Sequence, residues 1–359
     1  MSRPVPRDAG PAAASSSPET LVLVCPGLLG PIPAPPEPAI QAPSIARLLA
    51  RADRTPLDHP DPVAAVLSDL GLGVAEDRDP PSGAICLLGE GYAVAPDEIW
   101  MHADPVHLRP DRDRLLVYAG PGIEPDRAEA EALLESFNRH FAEDGLRLVA
   151  PTPGRWYLRL ERPLDVRGCP LSRARYRSMA EYLPSGPAAR DWMRLLNEAQ
   201  MLFHAHPVNR RRESTRRPTI SGIWTWGGGS MPSVPGPPPD ALVGDHPLML
   251  GLARLLARPH RALGDWLAAP AATQGQALVF WDRHWRALLD RDLATWSLAW
   301  TELEAAVGIL EERLRAGRLE QALVDPCHGG AVFSVSARQS RRFWRRSGLD
   351  SHLSVGPSD

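Results

Sequence analysis

The sequence predicts an α/β fold, a mixed and mainly parallel sheet flanked by helices, and three observations lead there. Leu21–Val24 is a continuous apolar run closed by Pro26 and Gly27, the pattern of a buried parallel strand feeding a loop at a sheet's edge. Short β-prone runs then alternate with stretches of helical period along most of the chain. The runs 146–150 and 156–160, parted only by Pro-Thr-Pro-Gly, read as paired antiparallel strands, so the sheet is mixed.

Residues 1–19 are rich in Pro, Ala and Ser without a long apolar core, which predicts a disordered arm rather than a signal peptide. Between Pro43 and Leu70 two amphipathic helices are expected, with Ile45, Leu48 and Leu49 on one face and Val63, Val66 and Leu70 on the next. Asp53, Arg54, Asp58 and Asp61 between them read as a solvated loop. The runs 84–88, 99–102 and 115–118 read as three strands. Pro125–Glu143 is a helix burying Ala132, Leu133, Phe137 and Phe141, and 162–186 is irregular. A long helix starts near Pro187, carries Trp192, Leu195, Leu196, Ala199 and Leu202 on one face, and ends by His206 because Pro207 disfavours helix before it. Ser221–Trp226 should be a second central strand of the sheet.

Farther on, a proline-rich loop at 230–240 borders that strand, and 248–257 is helical. Ala277–Trp281 is a strand and 284–315 one or two helices with tryptophans suited to a core. Ala331–Val335 is the last strand, and Ser340–Arg346 reads as a short basic helix with Phe343 and Trp344. The expected organisation is one α/β domain over 20–346, with room for an inserted subdomain around 100–200, and a loose tail at 347–359.

An apolar content of 43% supports a sizeable core, while a net charge of −3 gives no global attraction to nucleic acid. No run is long enough to span a membrane. Cys25, Cys86, Cys169 and Cys327 lack CxxC or Cys/His spacing, which suits reduced thiols and a cytoplasmic location.

The densest signal lies between His204 and Pro232. Arg210, Arg211, Arg212, Arg216 and Arg217 precede a strand with Trp224 and Trp226, and Gly227, Gly228 and Gly229 follow at its C-terminal end. Bare amides can approach an anion and guanidinium groups can grip one bidentately. The stretch therefore reads as a ligand site made of His206, Asn209, Arg212, Trp224, Trp226, Gly227, Gly228 and Gly229. A basic surface loop with a tight glycine turn explains the same residues equally well. His102, Asp104 and His107 could hold a metal, touch a polar ligand group, or serve as loop formers. Asp245-His246 precedes Pro247 and reads as a helix start, and 325–330 raises the same question.

HPVN, a run of arginines, and a strand ending in WxWGGG closed by Pro resemble the RpfE-type regulatory proteins of proteobacteria. The segments ADPVHLRPDRDRLL (103–116), GRWYLRL (154–160), WMRLLNEAQMLFHAHPVN (192–209), DHPLMLGLARLLA (245–257) and RRFWRR (341–346) extend the resemblance over most of the chain. That family is grouped by distant similarity with archaeal-type cofactor-independent phosphoglycerate mutases of the alkaline phosphatase superfamily. The resemblance implies an alkaline phosphatase/phosphoglycerate mutase-like fold. In the metal-dependent mutases the first strand ends in a metal-binding aspartate, whereas Cys25-Pro26-Gly27 stands there in this chain. A thiol does not replace a carboxylate for manganese or magnesium.

No GxSxG elbow, P-loop, HExxH or GxGxxG is present, and the nucleophile with about six Asp and His ligands that a metal-dependent mutase requires cannot be assembled. The expectation is a regulatory or catalytically degenerate protein, without catalytic or metal-binding residues, that binds a phosphorylated or carboxylated small molecule. An active manganese- or magnesium-dependent mutase or phosphatase is the alternative. The expected partners are that anionic small molecule and, through the regulatory reading, a protein. Nucleic acid and membrane are not expected.

Overall fold

The computed structural model describes residues 19–57, 61–72, 79–270, 275–327 and 331–356. Along the chain, β1 (Thr20–Val24), α1 (Pro43–Arg51), β2 (Asp53–Pro56), α2 (Pro62–Asp69) and α3 (Ser82–Gly89) lead into β3 (Ile99–Asp111) and β4 (Arg114–Tyr118). Then follow α4 (Arg127–His140), β5 (Leu146–Thr152), β6 (Arg155–Leu160), α5 (Leu171–Ala174), α6 (Ala189–His204), α7 (Pro207–Ser214) and β7 (Gly222–Gly229). The chain closes with β8 (Ala241–Val243), α8 (Pro247–Leu255), β9 (His260–Arg261), α9 (Leu263–Ala268), β10 (Gln276–Phe280), α10 (Arg283–Leu289), α11 (Leu293–Arg315), β11 (Gln321–Asp325) and β12 (Ala331–Ser336).

These strands form two sheets. The first runs β2-β12-β11-β1-β10-β8-β9, parallel from β11 to β9 and antiparallel at β12 and β2, so it is mixed and mainly parallel as expected. β1 sits at its centre because both of its faces are apolar: Leu21 and Leu23 pack with α1, α9 and α11, while Val24 packs on the other side with α2, α3 and α8. The second sheet, β4-β3-β6-β5 with β7 beside β3, is antiparallel and packs on α4 and α6. α3 and α8 form the layer between the two sheets.

Ser221–Trp226 therefore belongs to β7 of the second sheet and is not a central strand of the first. Its two faces are both covered, Ile223 against α6 and Trp224 against Val106 and Val117, which gives it the same continuous apolar look as β1. The segment 84–88, expected as a strand, is helical. α3 is buried on every side and so lacks the polar stripe that marks a helix. Its Gly89 and the facing Gly251 of α8 let the two backbones touch: a methyl group on either would overlap a carbonyl oxygen, of Pro247 or Ile85 respectively.

Three smaller expectations change as well. Asp53 and Arg54 lie in edge strand β2, and Asp61 is a buried N-cap of α2, accepting from the amides of Val63 and Ala64; Asp58 lies outside the described residues. After β11 the chain turns into the antiparallel β12 and no helix starts there, residues 328–330 being outside those described. The basic segment before the tail has only one 3-10 turn, at Gln339–Arg341, and residues 354–356 bond back to Leu29 and Ile32 rather than hanging free. The expected N-terminal arm, up to residue 18, lies outside the described residues.

Candidate functional site

Glycine amides do hold an anion here, but it belongs to the chain. Asp79 Oδ2 accepts from the amides of Gly168 at 2.8 Å and Gly227 at 3.1 Å, with Gly228 adding a third. Gly227 makes this possible with φ +64°, a backbone conformation that favours glycine, and a methyl group there would overlap Ser82 Oγ. Burial raises the Asp79 carboxyl, while the amides of Gly168 and Gly227, the Arg167 charge and the Gly228 amide pull it back.

The arginine run is likewise built into the fold. Arg210, Arg211 and Arg212 lie on helix α7 rather than in a loop, with Pro207 at its first turn and His206 as N-cap, Nδ1 accepting from Val208 N at 3.2 Å. Asn209 is buried and fully engaged, donating to the carbonyls of Phe203 and Ile220 and accepting from Ile220 N. Arg212 is 1% exposed and donates to Pro218 O, Ile123 O and Glu129 Oε2, each at 2.6 Å. Glu129 also binds Arg217 and caps the backbone of Asp126, so this cluster ties α7 to the start of α4. All three guanidinium nitrogens of Arg212 are engaged within the fold. Trp224 is core, its Nε1 donating to Cys169 O.

Of the residues expected at the site, Trp226 lines the cleft that the two sheets enclose. A cavity of about 200 Å³ opens there, walled by His102 and Asp104 of β3, Arg155 and Tyr157 of β6, Ser172 and Arg175, Trp226 of β7, and His246 and Trp285. His246 follows β8, so the cavity lies at the carboxyl edge of the parallel strands, where open α/β sheets bind ligands. Period-two alternation aims His102 and Asp104 into it and sends His107 to the other face, where Nδ1 meets Thr219 O at 2.9 Å. The three residues therefore do not form one metal site.

Trp226 organises this wall. Its indole stacks on His102 at 3.9 Å between centroids, and its Nε1 donates to Asp104 Oδ2 at 2.7 Å. Burial lifts the Asp104 carboxyl to about 7, against the pull of the Trp226 hydrogen bond and Arg155. Burial pushes His102 down to about 3, helped by His246 and Arg155, and His246 down to about 3, helped by Arg155 and Arg286. Both imidazoles are thus neutral at pH 7, while Asp104 titrates there. The fixed positive charges are Arg155, held by Glu90, and Arg175, held by Asp290. Two nitrogens of lining residues, His102 Nε2 and Arg175 Nε, are buried without a hydrogen-bond partner among the described residues.

Among the described residues, the ligand-type side chains at the strand ends are engaged within the chain. Cys25 follows β1, and burial with the Asp325 charge beside it holds its thiol well above the usual range. Asp245 Oδ1 accepts from Leu263 N, His246 Nδ1 from Leu248 N, and Asp325 Oδ1 from Cys327 N, so these groups are turned to backbone amides. His246 is the start of α8, as the sequence indicated. Among the described residues no three His, Cys, Asp or Glu side chains converge as a metal-ligand set.

Over part of its length the chain is similar to phosphoglycerate mutases. It is 33% identical over 119 residues to 2,3-bisphosphoglycerate-independent phosphoglycerate mutase 2 of Methanothermobacter thermautotrophicus, covering 30% of this chain and 28% of that protein. It is 25% identical over 153 residues to a probable 2,3-bisphosphoglycerate-independent phosphoglycerate mutase of Geobacter sulfurreducens, covering 40% and 36%. The matches thus span well under half the length of these relatives. Among solved structures, the PH0037 protein from Pyrococcus horikoshii superposes with a TM-score of 0.53 at 14% identity, over 89% of this chain and 88% of that one, which shows a shared fold. No family model matches. No helix among the described residues is long and apolar enough to cross a membrane.

Arg155, Tyr157 and His246 stand outside the site in the sequence reading, whereas Arg175 is one of four arginines, at 167, 173, 175 and 177, that could face the anion or solvent. Arg155 and Tyr157 sit in a strand that reads as an ordinary hairpin, and Arg175 is one of several arginines in an irregular segment. The available signal was the alternation in β3, which places His102 and Asp104 together on one face.

Proposed function

We propose that the chain is a regulatory, catalytically degenerate phosphoglycerate mutase-like protein that binds a phosphorylated or carboxylated small molecule in the cleft between its sheets. The observation that carries this reading is the convergence of the Arg155, Arg175 and His102 side chains on one cavity at the carboxyl edge of the parallel strands. Two guanidinium groups suit a phosphate or carboxylate, and a neutral imidazole can share a proton with a hydroxyl group. The partial likeness to phosphoglycerate mutases supports a small acidic metabolite as the ligand class. Cys25 at the end of β1 supports loss of the metal-dependent reaction, because a thiol held protonated is no ligand for manganese or magnesium.

A thermal-shift series with 3-phosphoglycerate, phosphoenolpyruvate and inorganic phosphate tests the reading. At least one should stabilise the wild-type protein, and Arg175→Gln should remove that stabilisation while Arg211→Gln, on the exposed side of α7, keeps it. Equal stabilisation of both variants, or none of the wild type, would place the ligand elsewhere.

A further inference from the structure

Five arginines and no carboxylate occupy residues 338–346, and at their centre Phe343 and Trp344 stand 69% and 67% exposed, ring centroids 5.3 Å apart and edge to face. Exposed apolar surface rimmed by polar groups marks interaction sites, and Trp and Arg are among the residue types enriched at binding hot spots. The charge around them is lopsided. Arg342 and Arg345 share the single carboxylate of Asp53, and among the described residues Arg341 bonds the carbonyl of Arg315 and Arg346 that of Phe343.

Beside Trp344 runs an open groove walled by Leu49, Ala52, Asp53, Arg54, Arg345 and Arg346. It borders β2, the outermost strand of the first sheet, whose four residues are all exposed and which among the described residues pairs with β12 alone. An edge strand with free amides and carbonyls accepts an extended chain.

We infer that this face docks an extended acidic segment of a partner protein. An apolar side chain of the segment would pack on Trp344 and Phe343, and its carboxylates would meet Arg345 and Arg346. The chain's own N-terminal arm does not match, since residues 1–18 carry Arg3 and Arg7 against Asp8 and Glu19 follows them in sequence. A lipid surface would use the aromatics and arginines but not the groove or the strand edge, which favours a peptide.

The test uses a fluorescein-labelled twelve-residue peptide of glutamates interrupted by two leucines, titrated into the full chain and read by anisotropy at low salt. Saturable binding is expected, weakened at least tenfold by Trp344→Ser and by Arg346→Glu. Both side chains are exposed, so the thermal midpoints should match the wild type and separate lost docking from lost folding. No saturable binding, or binding equal in both variants, overturns the inference. So does a result in which phosphatidylglycerol vesicles or an RNA oligonucleotide, but not the peptide, bind in a Trp344-dependent way.

Discussion

The carboxylate of Asp79 accepts a hydrogen bond from the amide of Gly227 at 3.1 Å, so the glycine run at the end of β7 is closed by the chain itself. This contact, with those from Gly168 and Gly228, fixes β7 against the segment that enters α3. It thereby sets the height of Trp226, which carries both the stacking on His102 and the hydrogen bond to Asp104.

Replacing Asp79 by Ala should leave three amides without their acceptor and cost about 1–3 kcal/mol of stability. Asp79→Asn, which keeps an acceptor oxygen, should recover most of that loss. Urea unfolding of the two variants checks it, and identical midpoints for Asp79→Ala and the wild type would show that the clasp is incidental.

Arg212→Ala should destabilise the protein by about 3 kcal/mol, because it strands Glu129 in a buried setting with Arg217 as its remaining guanidinium partner. Arg211→Ala, on the exposed side of the same helix, should change stability by less than about 0.5 kcal/mol. Thermal unfolding distinguishes this structural role from ligand binding, for which Arg212→Ala would leave the apo-protein untouched.

The acidity of Asp104 makes a pH-dependent prediction. Its folded-state value of about 7 lies above the 3.8 of a free carboxyl, so the stabilising proton is fully present below about pH 4 and is lost as pH rises through about 7. Asp104→Asn cannot lose it and can still accept from Trp226. The midpoint of the variant should therefore gain on the wild type between pH 4 and pH 8. His102 and His246 act in the opposite sense, destabilising both proteins as pH falls below about 6.5, and cancel in the difference. A difference that is flat in pH would mean that Asp104 is ionised throughout.

Much of the frame is readable because its periodicities are clean. β1 is apolar on both faces, α1, α4 and α6 each have a stripe, and β5 and β6 flank a Pro-Gly turn. α3 is lost to that reading because a helix between two sheets has no wet face, and its glycine contacts with α8 span more than 150 positions. α7 looks like a loop because its arginines hide that Arg212 points inward to a carboxylate 83 residues away. The site shows the same limit. Trp226 and the His102–Asp104 pair stand out locally, whereas Arg155, Arg175 and His246 join them only through packing of the second sheet on the edge of the first.

The most direct test is a calorimetric titration of 3-phosphoglycerate into chelator-treated protein, followed by assay of the mixture for 2-phosphoglycerate. Binding without metal, weakened tenfold or more by Arg175→Gln and with no interconversion when manganese is restored, is the predicted result. Binding that appears only with manganese, accompanied by turnover, would contradict a metal-free, non-catalytic pocket.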